Sequence, residues 1–134
     1  MIGSGEHTMR DDDFYWEGVN NGRLLFQQCD ACDAVRHPAA PMCPHCQSLQ
    51  WRALQSGGTG TVCAWIESRH PTRDDAHPRI VALIDLPEGV RLVSNLRDVA
   101  LADVEDGMPV EVFFEEINGV VLHQFRPLRA EVAA

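Results

Sequence analysis

Apolar and polar residues change their period twice along this chain. Three acidic residues, Asp11, Asp12 and Asp13, precede the aromatic run Phe14, Tyr15 and Trp16. Negative charge and cap-capable side chains ahead of an apolar turn predict a short helix, closed by Asn20-Asn21-Gly22. Residues 23–28 (RLLFQQ) then predict a strand that runs into a Cys-x-x-Cys knuckle. A proline-punctuated loop, a second knuckle and a return strand through Leu49, Trp51 and Leu54 follow. Residues 55–58 (QSGG) predict a flexible linker.

Beyond that linker the pattern is that of short strands. Residues 60–67, 80–86, 90–96, 110–115 and 120–125 carry the β-type runs. Pro87-Glu88-Gly89 predicts a tight turn and Asn118-Gly119 a hairpin. Residues 98–106 (DVALADVED) predict one or two helical turns, stopped by Gly107 and Pro109. Five strands with a short helix between the third and fourth is the order of an OB-fold, with an SH3-like barrel as the competing arrangement. The fold class expected is therefore mainly β: a short N-terminal helix, a zinc ribbon, then a five-stranded OB-fold barrel. The expected divisions are a flexible leader at 1–10, helical arm and ribbon at 11–55, the barrel at 56–128 and a tail at 129–134.

Cysteine spacing adds chemistry to this outline. Cys29, Cys32, Cys43 and Cys46 form C-x₂-C-x₁₀-C-x₂-C. Each knuckle turns two sulfurs to one side, and two facing knuckles supply four thiolates in a tetrahedron, the geometry of structural Zn²⁺. Iron in an S₄ site shares that geometry. Four protein ligands leave no open position, so the metal is expected to fold the chain rather than to catalyse. His37 and His45 lie near the knuckles and are read as solvent-facing or supporting residues, the ligand set being complete without them. Asp33 and Gln47 stand directly after the knuckles, where a positive φ is common and glycine usual.

Charge narrows the function classes. The chain of 134 residues carries 11 Arg, no Lys and 20 Asp plus Glu, a net charge of −9. Such a surface repels nucleic-acid backbones and anionic membranes. No apolar run reaches the length of a membrane span, and the first residues lack signal-peptide order, so a cytoplasmic protein is expected.

A catalytic set is not visible. Cys63 sits in a predicted strand with no histidine nearby in sequence to activate it, and His123 reads as a hydrogen-bonded barrel residue. No Walker or Rossmann phosphate loop occurs. Residues 69–79 (RHPTRDDAHPR) are less bland, because Arg69, Arg73 and Arg79 could meet the phosphates of a nucleotide-like ligand such as CoA. Phe14, Tyr15 and Trp16 read as an exposed anchor for a partner protein.

The segments FYWEGVNNGRLLFQQC, CDAC and CPHC, GTGTVCAWI, GMPVEVFFEE and HQFRP occur in this order from about residue 11 to 127. In these the chain resembles the acyl-CoA-associated zinc-ribbon/OB-fold family, domain of unknown function thirty-five. Asp33, Gln47 and Ala39-Ala40 depart from the family pattern. The resemblance implies a rubredoxin-like ribbon with one zinc on the four cysteines. It also implies partnership with a thiolase-like or lipid-transfer-protein-like aldolase subunit, in some relatives with a hot-dog-fold hydratase. The expected role is a non-catalytic accessory subunit acting with such an enzyme on acyl-CoA thioesters in steroid side-chain or fatty-acid degradation. A free-standing acyl-CoA-binding protein or enzyme is the alternative, and a nucleic-acid module the weaker one.

Overall fold

The computed structural model describes residues 11–69 and 79–128. The expected leader, the loop around Arg73 and the tail lie outside them. Two compact units divide between Gln55 and Ser56.

The first unit opens with helix α1, Asp13–Asn20. Asp12 holds the N-cap position, but its side chain makes no cap bond; its carboxylate accepts from the Trp16 indole at 3.1 Å. Gly22 ends the helix at φ 73°, with Arg23 N–H donating to Gly18 O at 2.8 Å and Gly22 N–H to Val19 O at 3.0 Å. That bond pair is the left-handed C-terminal cap that glycine makes cheaply. Three strands follow: β1, Leu25–Cys29; β2, Val35–Arg36; and β3, Trp51–Gln55. They form an antiparallel sheet ordered β2-β1-β3. The two-residue β2 is too short to show a sequence period. Tyr15, Val19, Leu24 and Phe26 make the small apolar core. Gln27, 1% exposed, sits among them, and its Oε1 accepts from Arg36 Nε and from Ala40 N–H, both at 2.8 Å. One buried amide thus fastens β1 to β2 and to the loop beyond it.

The second unit is a closed antiparallel barrel with one parallel contact. Its strands are β4, Thr59–Ser68; β5, Arg79–Leu86; β6, Val90–Leu96; β7, Pro109–Ile117; and β8, Val120–Pro127. The order β4-β5-β6-β8-β7 closes through β4 and β7, with β6 and β8 parallel, as in an OB-fold. Alternation explains the inward face: Ile80, Ala82, Ile84 and Leu86 on β5 meet Val90, Leu92, Ser94 and Leu96 on β6. Gly60 is required where β4 crosses β5, because a Cβ there would stand 2.5 Å from Asp85 O.

Two expectations change here. The helical turns expected across 98–106 shrink to one 3-10 turn, Leu101–Asp103. Val104 must reach the core from extended backbone, φ −77° and ψ 134°, which ends the turn. Residues 55–58 do not form a loose linker either. Ser56 is buried and donates to Glu88 Oε1 at 3.0 Å, and Gly57 N–H donates to Glu88 Oε2 at 3.0 Å. A carboxylate in the β5–β6 turn therefore holds the entry to the barrel.

Candidate metal centre and barrel cavity

The two knuckles bring four sulfurs together: all Sγ atoms of Cys29, Cys32, Cys43 and Cys46 lie within 4.8 Å of one another. Cys29 and Cys46 sulfurs are 3.5 Å apart, and those of Cys32 and Cys43 3.6 Å. A tetrahedron of thiolates at ~2.3 Å from zinc has edges of about 3.8 Å, so the residues present fit the metal. Each knuckle is a tight turn, closed by Asp33 N–H to Cys29 O at 3.0 Å and Gln47 N–H to Cys43 O at 2.9 Å. Asp33 and Gln47 both adopt positive φ, 64° and 67°.

Backbone dipoles prepare two of the thiols. The Cys46 N–H, then that of His45, brings Cys43 down to about 6 despite opposing burial. Cys29 is lowered chiefly by the Cys32 N–H. At Cys32 the Ala34 N–H acts downward, but burial and the neighbouring sulfurs outweigh it and push the thiol up to about 12. Two of the four thiols are thus made more acidic and two less so, and a bound cation would favour the thiolate form of all four.

A clamp that the sequence did not reveal holds the first knuckle. Arg52 on β3 donates to Asp30 Oδ1 and Asp33 Oδ1, both at 2.8 Å. Asp33 accepts the strained backbone where glycine is usual, and its carboxylate finds this guanidinium in return. The pairing follows from the β1–β3 register, Gln28 opposite Arg52, which no local motif announces.

His45 is exposed, as expected. His37 is not. Its ring lies 5.0 Å from Tyr15 and 5.4 Å from Phe26, and burial lowers its basicity. The aromatic anchor is likewise corrected. Tyr15 is 4% exposed and belongs to the core, while Phe14 leans on Trp51 at 4.7 Å. Phe14 is half-buried, and Trp16, 43% exposed, presents the most surface of the trio. A helix turn separates neighbours by about 100°, so three successive aromatics cannot share one face.

In the barrel, Cys63 is the extra residue of a β-bulge between Val62 and Ala64. Burial, then the Asp85 charge, pushes its thiol up, the opposite of an activated nucleophile. His123 Nδ1 pairs with Ser94 Oγ at 2.9 Å, the hydrogen-bonded barrel residue expected.

The arginine loop is divided in two. Arg69 pairs with Glu67 at 3.2 Å. Arg79 opens β5 and lines a cavity of about 680 Å³ together with Ile80, Leu96, Arg97, Leu101 and Gln124. That volume suits a small ligand. It lies at the ends of the second and third barrel strands, where OB-folds commonly hold ligands.

Among the described residues no helix is long and apolar enough to cross a membrane.

Comparisons with known proteins agree with this geometry. Residues 16–52 match the family described as ChsH2, rubredoxin-like zinc ribbon domain. Residues 53–115 match ChsH2, C-terminal OB-fold domain. A probable enoyl-CoA hydratase alpha subunit of Thermomonospora curvata is 42% identical over 120 residues, which are 88% of this chain and 38% of that protein. The 3-oxo-4,17-pregnadiene-20-carboxyl-CoA hydratase alpha subunit of Mycobacterium tuberculosis is 32% identical over 121 residues, 90% of this chain and 39% of that protein. The chain thus spans under two-fifths of the length of these two relatives. A solved structure described as Ltp2-ChsH2(DUF35) aldolase superposes with a TM-score of 0.82 at 41% identity, covering 90% of this chain and 96% of that one. With a four-cysteine ribbon, a 1-2-3-5-4 barrel and both domain matches in register, the chain belongs to the ChsH2-type family of zinc-ribbon and OB-fold (DUF35) proteins.

Proposed function

We propose that this chain is a non-catalytic accessory subunit that docks on a lipid-transfer-protein-like aldolase of the thiolase superfamily and supports its action on acyl-CoA thioesters. The observation that carries the reading is the likeness, over nearly the whole of the matched chain, to the DUF35 component of an Ltp2-ChsH2 aldolase. The chemistry on the page agrees with it. The metal site is closed, and the one thiol outside it is made less reactive by its surroundings.

In this reading Cys29, Cys32, Cys43 and Cys46 hold one structural zinc, and their thiolates suit a reducing, cytoplasmic setting. Trp16 is the partner contact left to the helical arm. Of the two loop arginines among the described residues, Arg69 is engaged by Glu67, and Arg79, which makes no ion pair with another described residue, is the one assigned to a CoA phosphate. A relative named for a steroid acyl-CoA hydratase favours steroid side-chain degradation as the setting, with a hot-dog-fold hydratase as a second associate.

Co-expression with a lipid-transfer-like aldolase tests the proposal. A co-purifying complex with aldolase activity that neither subunit shows alone is expected. Turnover of a CoA thioester by this chain alone, at the rate of the complex, would overturn it.

A further inference from the structure

The two knuckles share a backbone design and differ in what surrounds it. In each, the residue after the second cysteine is left-handed, φ 64° at Asp33 and 67° at Gln47. Its N–H donates to the carbonyl of the first cysteine, at 3.0 Å from Asp33 and 2.9 Å from Gln47. Glycine adopts that conformation freely, whereas a Cβ strains it. The strain therefore stands directly beside a metal ligand, Cys32 in one knuckle and Cys46 in the other.

Among the described residues, side chains oppose that strain only in the first knuckle. Arg52 Nη2 donates to Asp33 Oδ1 and Nη1 to Asp30 Oδ1, both at 2.8 Å, and Nη1 also reaches Cys29 O at 3.4 Å. Gln28 Nε2 adds a bond to Asp33 O at 3.1 Å. Asp30 follows the first cysteine and Asp33 the second, so one guanidinium grips the turn after each ligand. A planar fork can meet two carboxylates in this way, and a compact ammonium cannot. Gln47 makes no side-chain hydrogen bond among the described residues. The nearest support in its turn is Ser48 Oγ, which accepts from Gln50 N–H at 3.1 Å.

We propose that Arg52 is a positioning residue for the metal centre: by holding Asp30 and Asp33 it keeps Cys29 and Cys32 in ligating geometry and so sets how tightly this chain retains zinc. The inference rests on the four-cysteine zinc site and is independent of the aldolase partnership. Residues that orient metal ligands from outside the ligand set commonly change affinity by about 10–100-fold. The side chains of Arg52, Asp30 and Asp33 are 48%, 45% and 73% exposed, and water screens such pairs, so the lower end of that range is expected.

Zinc retention by the full-length chain, measured in competition with a chromophoric chelator, tests this. Arg52→Met should weaken retention by about tenfold. Adding Asp33→Gly to Arg52→Met should restore most of the loss, because glycine needs no carboxylate anchor at φ 64°. Loss of an arginine that merely stabilised the sheet would not be mended at Asp33. Arg91→Met, which breaks the comparable Arg91–Asp85 pair at 2.6 Å in the barrel, should leave retention unchanged. Two milder variants decide the matter should Arg52→Met fail to fold. Gln47→Gly relieves a strain that no clamp opposes and should tighten retention. Asp33→Gly in the otherwise unchanged chain relieves strain but releases half of the clamp, and should not tighten it. Unchanged retention in Arg52→Met, no rescue by Asp33→Gly, an equal loss in Arg91→Met, or equal tightening by the two single glycine variants would each overturn the assignment.

Discussion

The ribbon unit and the barrel unit solve the same problem with different means. In the barrel, β5 and β6 alone contribute seven buried apolar side chains, and closure satisfies strand edges without any ion. In the ribbon, four apolar side chains besides the cysteines are fully buried, with Gln27 and Arg36 in the same interior. A core so small cannot offset the entropy of ordering its chain, and units of this size usually borrow a metal. The difference teaches where each unit is vulnerable. The barrel depends on volume, the ribbon on charge and coordination.

The sharpest way to separate them is to remove the metal. Cys43→Ser should reduce zinc to well below one per chain and collapse hydrogen-exchange protection in β1 and β3, while β5 and β6 keep theirs. Structural zinc sites hold about 10–16 kcal/mol of binding free energy that also serves as folding free energy. Retained zinc with a protected ribbon would break the comparison.

The reciprocal change is Ile84→Ala. Ile84 is 0% exposed between facing β-strands, and its truncation should cost about 2–5 kcal/mol of barrel stability. Zinc content, read by elemental analysis, should stay at one per chain.

A smaller effect is expected at the surface. Trp16→Ala should weaken the aldolase complex by about 2 kcal/mol, the scale of an aromatic hot spot, with zinc and thermal unfolding unchanged. Phe14→Ala and Tyr15→Ala should instead lower ribbon stability, because Phe14 packs on Trp51 and Tyr15 lies in the core. Surface plasmon resonance on immobilised aldolase, paired with melting curves, distinguishes the two behaviours.

The smallest is a pH dependence confined to the ribbon. Burial lowers the His37 pKa below its ordinary ~6.5, so the unfolded chain takes up a proton before the folded one does. Stability is therefore full above about 6.5 and falls as the pH drops from there toward the folded value, then levels off. His37→Phe should flatten that part of the profile. Chemical denaturation of both proteins at a series of pH values, with zinc in excess, measures it.

What was legible in the sequence had a local cause. The knuckles declare themselves by spacing, because a Cys-x-x-Cys turn converges its sulfurs whatever surrounds it. The β6 strand was expected at 90–96 and is Val90–Leu96, since a two-residue alternation and a Pro-Glu-Gly turn mark both ends. Residues whose role depends on a distant partner gave no such sign. Tyr15 looked like its neighbours Phe14 and Trp16, yet helix geometry turns it inward onto His37. Ser56 looked like part of a flexible glycine linker, yet Glu88, 32 residues on, holds it.

By itself the sequence determined the four-cysteine ligand set, the five-strand order and the net acidic charge. Each follows from residue type, spacing or period, which act over a few positions. Tertiary structure alone decided that Arg52 clamps the knuckle through Asp30 and Asp33, and that Gln124 is buried with an oxygen that has no partner among the described residues. Those facts arise from strand register and barrel closure. They bring together residues far apart in the chain, and no local pattern encodes which side chains will meet.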